Sequence, residues 1–125
     1  MNELRKSVGK MVIIAHPDPE VRIHGATRLR ECGWKVISVD SSSQLHARIV
    51  AWPNSLILLA TDMQDESGWL TCNKIRKSKP HASVFLIHDE IDDTDQSLAD
   101  FVGASGIFTF DEMAEKLANP FRVMV

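Results

Sequence analysis

Five short apolar runs divide the chain: Met11–Ala15, Lys35–Val39, Ser55–Ala60, Ser83–His88 and Gly106–Phe110. They are rich in Val, Ile and Phe, and their apolar residues are nearly continuous rather than alternating. A strand reads this way when both of its faces are covered. The segments between the runs have helical spacing. Pro19 to Cys32 follows Asp18, an N-cap type, with proline in the first turn and Gly33 as its stop. Ser42 to Ala51 places Leu45, Ile49 and Val50 on one side, with Pro53 beyond. Gly68 to Lys77 carries Trp69, Cys72 and Ile75 ahead of Pro80, and Asp95 to Val102 carries Leu98 and Phe101 ahead of Gly103. The last helix, Glu112 to Ala118, is preceded by Thr109-Phe110-Asp111-Glu112, which has capping-box spacing, and Pro120 ends it.

Strand–helix alternation repeated five times predicts an α/β fold: a doubly wound, five-stranded parallel sheet with helices on both faces. The 125 residues fit one domain, expected over 11–119, with tails at 1–10 and 120–125. The 14 Lys and Arg against 17 Asp and Glu leave a net charge of −3. That balance does not suit a nucleic-acid backbone, which calls for clustered basic residues. The apolar runs are far too short to span a bilayer, and the polar, basic Met1 to Lys10 is no secretory signal. The cytoplasm is therefore the expected compartment. Cys32 and Cys72 form no metal-binding or redox spacing and are expected to stay unpaired.

In this architecture, binding sites lie at the carboxyl ends of the strands. The segments found there are His16-Pro17-Asp18 after the first run, Ala60-Thr61-Asp62 followed by Asp65, Glu66 and Gly68 after the third, His88-Asp89 at the fourth and Phe110-Asp111 at the fifth. With Val12-Ile13-Ile14-Ala15 leading into them, Cys32-Gly33-Trp34 before the second run, Ser67-Gly68-Trp69 opening the third helix and Gly103-Ala104-Ser105-Gly106 before the fifth run, the chain resembles the receiver domains of response regulators. The likeness covers about Lys10 to Leu117 and implies a flavodoxin-like fold with strand order 2-1-3-4-5.

The resemblance also implies a chemistry, and the residues argue against it. The family holds Mg²⁺ on two acidic residues after the first strand. It takes a phosphoryl group on an Asp ending the third strand, and binds it with a Ser or Thr ending the fourth and a Lys ending the fifth. Here those positions fall on His16 and Pro17, on Ala60 (counting back from Gly68), on His88 and on Phe110. None has the needed group. Mg²⁺ wants oxygen ligands, and phosphoryl transfer depends on charge neutralisation and positioning. The expectation is a degenerate, phosphorylation-independent pseudo-receiver, not an enzyme and without a cofactor, acting on a protein partner in signalling. That partner includes a second copy, through the fourth helix, fifth strand and fifth helix; the candidate face is Leu98, Phe101, Ile107, Thr109 and Met113. Phe110 is expected to fill the emptied pocket and hold that face in one state.

Two alternatives stay open. One is a small-ligand or transition-metal sensor using His16, Asp18, Asp62 and His88, since imidazole with carboxylate suits such a metal. The other is a phosphoacceptor at Asp62. Asp65 and Glu66 are expected to be solvated loop carboxylates, and Trp52, beside Pro53 at a helix end, is a candidate partner anchor. No dinucleotide fingerprint, phosphate-binding loop or nucleophile elbow occurs.

Overall fold

The computed structural model describes residues 11–118; the expected tails at 1–10 and 120–125 lie outside them. The elements run β1 (Met11–Ala15), α1 (Pro19–Glu31), β2 (Lys35–Val39), α2 (Ser42–Ala51), β3 (Leu56–Ala60), α3 (Gly68–Ser78), β4 (Ser83–Ile87), α4 (Asp93–Phe101), β5 (Gly106–Phe108) and α5 (Phe110–Ala118). All strand pairs are parallel, in the order β2-β1-β3-β4-β5.

The unbroken apolar runs have a simple origin. Side chains alternate across a strand, so a strand covered on both faces needs apolar residues at every position. Ile13, Ile57, Leu59, Val84 and Leu86 face one cluster, which takes Leu45 and Ile49 from α2, Cys72 and Ile75 from α3 and Ala99 from α4. Val12, Ile14, Leu56, Leu58 and Ile87 face the other, with Leu29 from α1 and Met113 from α5. Each fully buried Ile or Leu stabilises by about 2 kcal/mol relative to exposure. Cys72 belongs to the first cluster and Cys32, at the end of α1, packs on the second, so the sheet lies between the two thiols.

Local signals set the boundaries. Asp18, Ser41 and Ser67 cap α1, α2 and α3 by accepting from backbone N–H groups of the first turn. Gly33 and Gly103 take φ values of +96° and +80°, which other residues rarely adopt, to turn the chain out of α1 and α4. Two expectations need correction. The fourth helix starts at Asp93, two residues early, because Asp92 and Asp95 cap each other reciprocally. The fifth strand ends at Phe108, and Phe110 is the first residue of α5. Thr109 Oγ1 accepts from the Glu112 N–H while Glu112 Oε1 accepts from the Thr109 N–H. A capping residue stands directly before the first turn, so the strand has no room to reach Phe110.

Candidate functional site

Ala60 ends β3 with no exposed surface. The backbone N–H of Gly68 donates to the Thr61 carbonyl at 2.9 Å, so the first turn of α3 lies directly on this strand end. A Cβ on Gly68 would sit 2.0 Å from the Ala60 carbonyl oxygen. Only a hydrogen fits there, which is the physical reason for glycine at this position.

Beside Ala60, Thr61 is buried and its Oγ1 lies 2.6 Å from Nδ1 of His88, the residue after β4. The His88 ring tilts against Trp69 with centroids 5.8 Å apart, and its Nε2 is 3.7 Å from Asp95 Oδ1 on α4. An open cleft next to it is lined by His88, Asp89, Glu90, Ile91, Asp92 and Asp95.

On the other side of β3, the half-buried His16 follows β1. Its Nδ1 accepts from the Asp18 N–H at 3.0 Å. Arg22 reaches back from α1 and donates to the His16 and Pro17 carbonyls at 2.6 and 3.0 Å. Burial lowers the pKa of His16; the carboxylates of Asp62, Asp18 and Asp89 oppose this, and Arg22 adds to it. The imidazole is therefore neutral near pH 7. Asp62 itself is exposed.

The alternative ligand set of His16, Asp18, Asp62 and His88 is not assembled. Among the described residues no three His, Cys, Asp or Glu side chains are placed to hold one metal ion. The Nδ1 atoms of both histidines already take part in hydrogen bonds.

Phe110 does not fill the pocket. From the first turn of α5 its ring reaches α1, where a Cβ on Gly25 would lie 3.3 Å from Phe110 Cε1, and it packs on the cluster of Val12, Ile14, Leu29 and Met113. The expected interaction face is also revised. Leu98 and Phe101 are exposed, but Ile107 and Met113 are core residues and Thr109 caps α5. Trp52 is 47% exposed at the end of α2, whereas Trp34 is buried.

Asp65 is exposed and Glu66 half-buried in the loop after β3, and both have specific partners beyond solvent. Asp65 accepts from the Ser42 and Ser43 N–H groups, both at 2.9 Å, and so caps α2 from the loop that follows β3. These backbone bonds lower its pKa. Glu66 accepts from Lys74 at 2.5 Å and from Thr71 at 2.6 Å, and lies 3.3 Å from Nε2 of His46. Lys74 first, then Thr71, pull its carboxyl down to about 2. Thr71 and Lys74 are close in sequence, five and eight residues on in α3, but no local pattern announces the contacts to α2, whose partners are 20 to 23 residues away.

No model of a protein family matches the sequence, and no curated protein does. Solved structures do match. The chemotaxis protein CheY4 of Vibrio cholerae superimposes with a TM-score of 0.81 at 14% identity, over 93% of this chain and 98% of that one. The chain has the CheY-like receiver fold. The N-terminal receiver domain of RstA from Klebsiella pneumoniae aligns with a TM-score of 0.80 at 19% identity, over 90% of this chain and 96% of that one. A two-component response regulator from Clostridium difficile gives 0.79 at 18%, over 92% and 98%. At these identities the likeness establishes the receiver fold and its strand order. No described helix is long and apolar enough to cross a membrane.

Proposed function

We propose that this chain is a receiver-fold signalling module that acts by contact with another protein and takes up no phosphoryl group. Ala60 supports this most. Where the resembled family has its acceptor carboxylate, this chain has a buried methyl group under the first turn of α3. The loop after β1 offers a neutral imidazole, a proline, a guanidinium bonded to the loop's own carbonyls and one carboxylate, Asp18, engaged in capping α1, a poor match to the oxygen shell of Mg²⁺. The turn after β5 brings no lysine: Thr109 is spent on the α5 cap and Phe110 packs on α1. Catalysis of phosphoryl transfer is almost wholly positioning and charge neutralisation, so losing every such group removes it. On this reading the chain is not an enzyme. The response regulators it resembles in fold support a place in two-component signalling.

Amide NMR spectra test this. Adding Mg²⁺ with acetyl phosphate should leave the signals of His16, Ala60, Thr61 and His88 in place. Shifts gathered at those residues would overturn the reading.

A further inference from the structure

The two ends of the sheet differ in charge. Asp40, Asp62, Asp89, Asp92 and Asp95 stand at the carboxyl ends of the strands, around the candidate site. Bases gather at the amino ends. A helix between two parallel strands runs back along the sheet, so its last turn lies there. Those turns carry Arg28 and Arg30 on α1, Arg48 on α2 and Lys77 on α3. Lys35, the exposed first residue of β2, and Lys79, between α3 and β4, add to them. Glu31, Asp100 and Glu115 are the acids in the last turns of α1, α4 and α5, while α2 and α3 end with none. Bases in a last turn suit the helix dipole, but the dipole does not account for what lies between them. The strand order β2-β1-β3-β4-β5 sets the turn from α2 to β3 at the middle of this end, with Lys35 to one side and Lys79 to the other. That turn is apolar and open to solvent. Val50 is 79% and Trp52 47% exposed, with exposed Ala51 and Pro53 beside them. From Ser41 to Thr61 the sequence has no Asp or Glu.

We propose that the amino ends of the strands dock on an anionic lipid surface. Trp52, Val50 and Pro53 enter the headgroup layer, while Lys35, Arg48, Lys77 and Lys79 pair with the charged headgroups. The inference goes beyond the function proposed above and does not depend on it. It needs no spanning helix, only a surface that is basic around an apolar centre. Docked this way, the acidic carboxyl ends point away from the lipid, the orientation that the field of an anionic surface favours. Charge and shape decide between occupants. A second copy docked about a two-fold axis here would set Lys35, Arg48 and Lys79 against basic counterparts. A nucleic acid would meet the bases but leave Val50 and Pro53 facing phosphate, with a single ring for stacking. Lipid accommodates both the charged rim and the apolar centre.

The test is cosedimentation of the full chain with vesicles. Vesicles of equimolar phosphatidylserine and phosphatidylcholine should bind it, vesicles of phosphatidylcholine alone should not, and added salt should weaken the binding. Trp34 is buried and Trp69 lies at the other end of the sheet, so a blue shift of tryptophan emission on binding reports Trp52. Trp52→Phe should remove that shift. Each Lys or Arg at such a surface is worth about fivefold in affinity. Lys35→Glu with Lys77→Glu should therefore weaken binding by about tenfold or more, and Val50→Ser by about threefold or more. All three side chains are exposed, so both variants should keep the wild-type melting temperature. Equal binding to phosphatidylcholine alone, no binding to the charged vesicles, or undiminished binding by both variants would overturn the proposal. So would duplex DNA that binds as tightly and is lost through the same charge variant, which would assign this end to nucleic acid. Self-association in sedimentation that the charge variant dissolves would give it to a second copy instead.

Discussion

Thr61 and His88 close the end of the sheet between them. Oγ1 of Thr61 is 2.6 Å from Nδ1 of His88, which ties β3 to β4 just beyond their last residues. Thr61 is buried, and an unpaired hydroxyl there would be costly. The proposed reading puts His88 at the position where the resembled family has a phosphoryl-binding hydroxyl. Here that position holds a ring already engaged by its neighbour.

Replacing Thr61 with valine keeps the shape and removes the hydroxyl. Thr61→Val should cost about 1 kcal/mol, because half-buried His88 can recover a bond to water. The urea midpoint measures it. A loss of several kcal/mol would mean that the pair does more than satisfy two polar atoms.

Gly68→Ala is expected to be far more damaging than a helix propensity suggests. Alanine favours helices over glycine, yet its Cβ would lie 2.0 Å from the Ala60 carbonyl oxygen. The obstacle is backbone, so α3 must shift, at about 3 kcal/mol. Thermal melting checks this; an unchanged midpoint would contradict the packing.

Glu66 gives the fold a pH dependence. Its carboxyl sits at about 2 in the folded chain against an ordinary 4.5, held down by Lys74, Thr71 and His46. A carboxyl depressed by folding stabilises in full above its unfolded value and loses that contribution as pH falls towards its folded one. Wild type should therefore exceed Glu66→Gln in stability at neutral pH, with the gap closing between about 4.5 and about 2. Chemical denaturation across that window checks it. A gap independent of pH would count against the ion pair.

Phe110→Ala should loosen the contact between α5 and α1 and leave the strand-end pocket alone. The ring is half-buried, so a loss of about 2 kcal/mol is expected. Hydrogen exchange should rise in α1 and α5 but not in α4. Faster exchange at His88 and α4 instead would restore the idea of a ring that locks the pocket.

Much of the fold was legible from residue patterns. Continuous apolar runs mark strands covered on both faces, and Asp18, Gly33, Gly68 and Gly103 mark the turns around them. Phe110 falls outside the strand because the fifth apolar run continues past it into a capped helix, and the Thr109–Glu112 box is the signal that outweighs hydrophobicity. Gly25 inside α1 lies against the Phe110 ring, a contact that no sequence pattern named. The α2 cap by Asp65 was not readable, since it joins residues 22 and 23 positions apart. The resemblance puts Ile107 and Met113 on an interaction face, whereas their apolar character alone points to the core, where they lie.

The most direct measurement is the intact mass of the chain after incubation with Mg²⁺ and acetyl phosphate. The account predicts a single species at the unmodified mass, because Ala60 offers no carboxylate and the turn after β5 brings no lysine to neutralise a phosphoryl group. A stoichiometric phosphoryl adduct would contradict it, and one mapped to Asp62 would make the exposed loop carboxylate the acceptor.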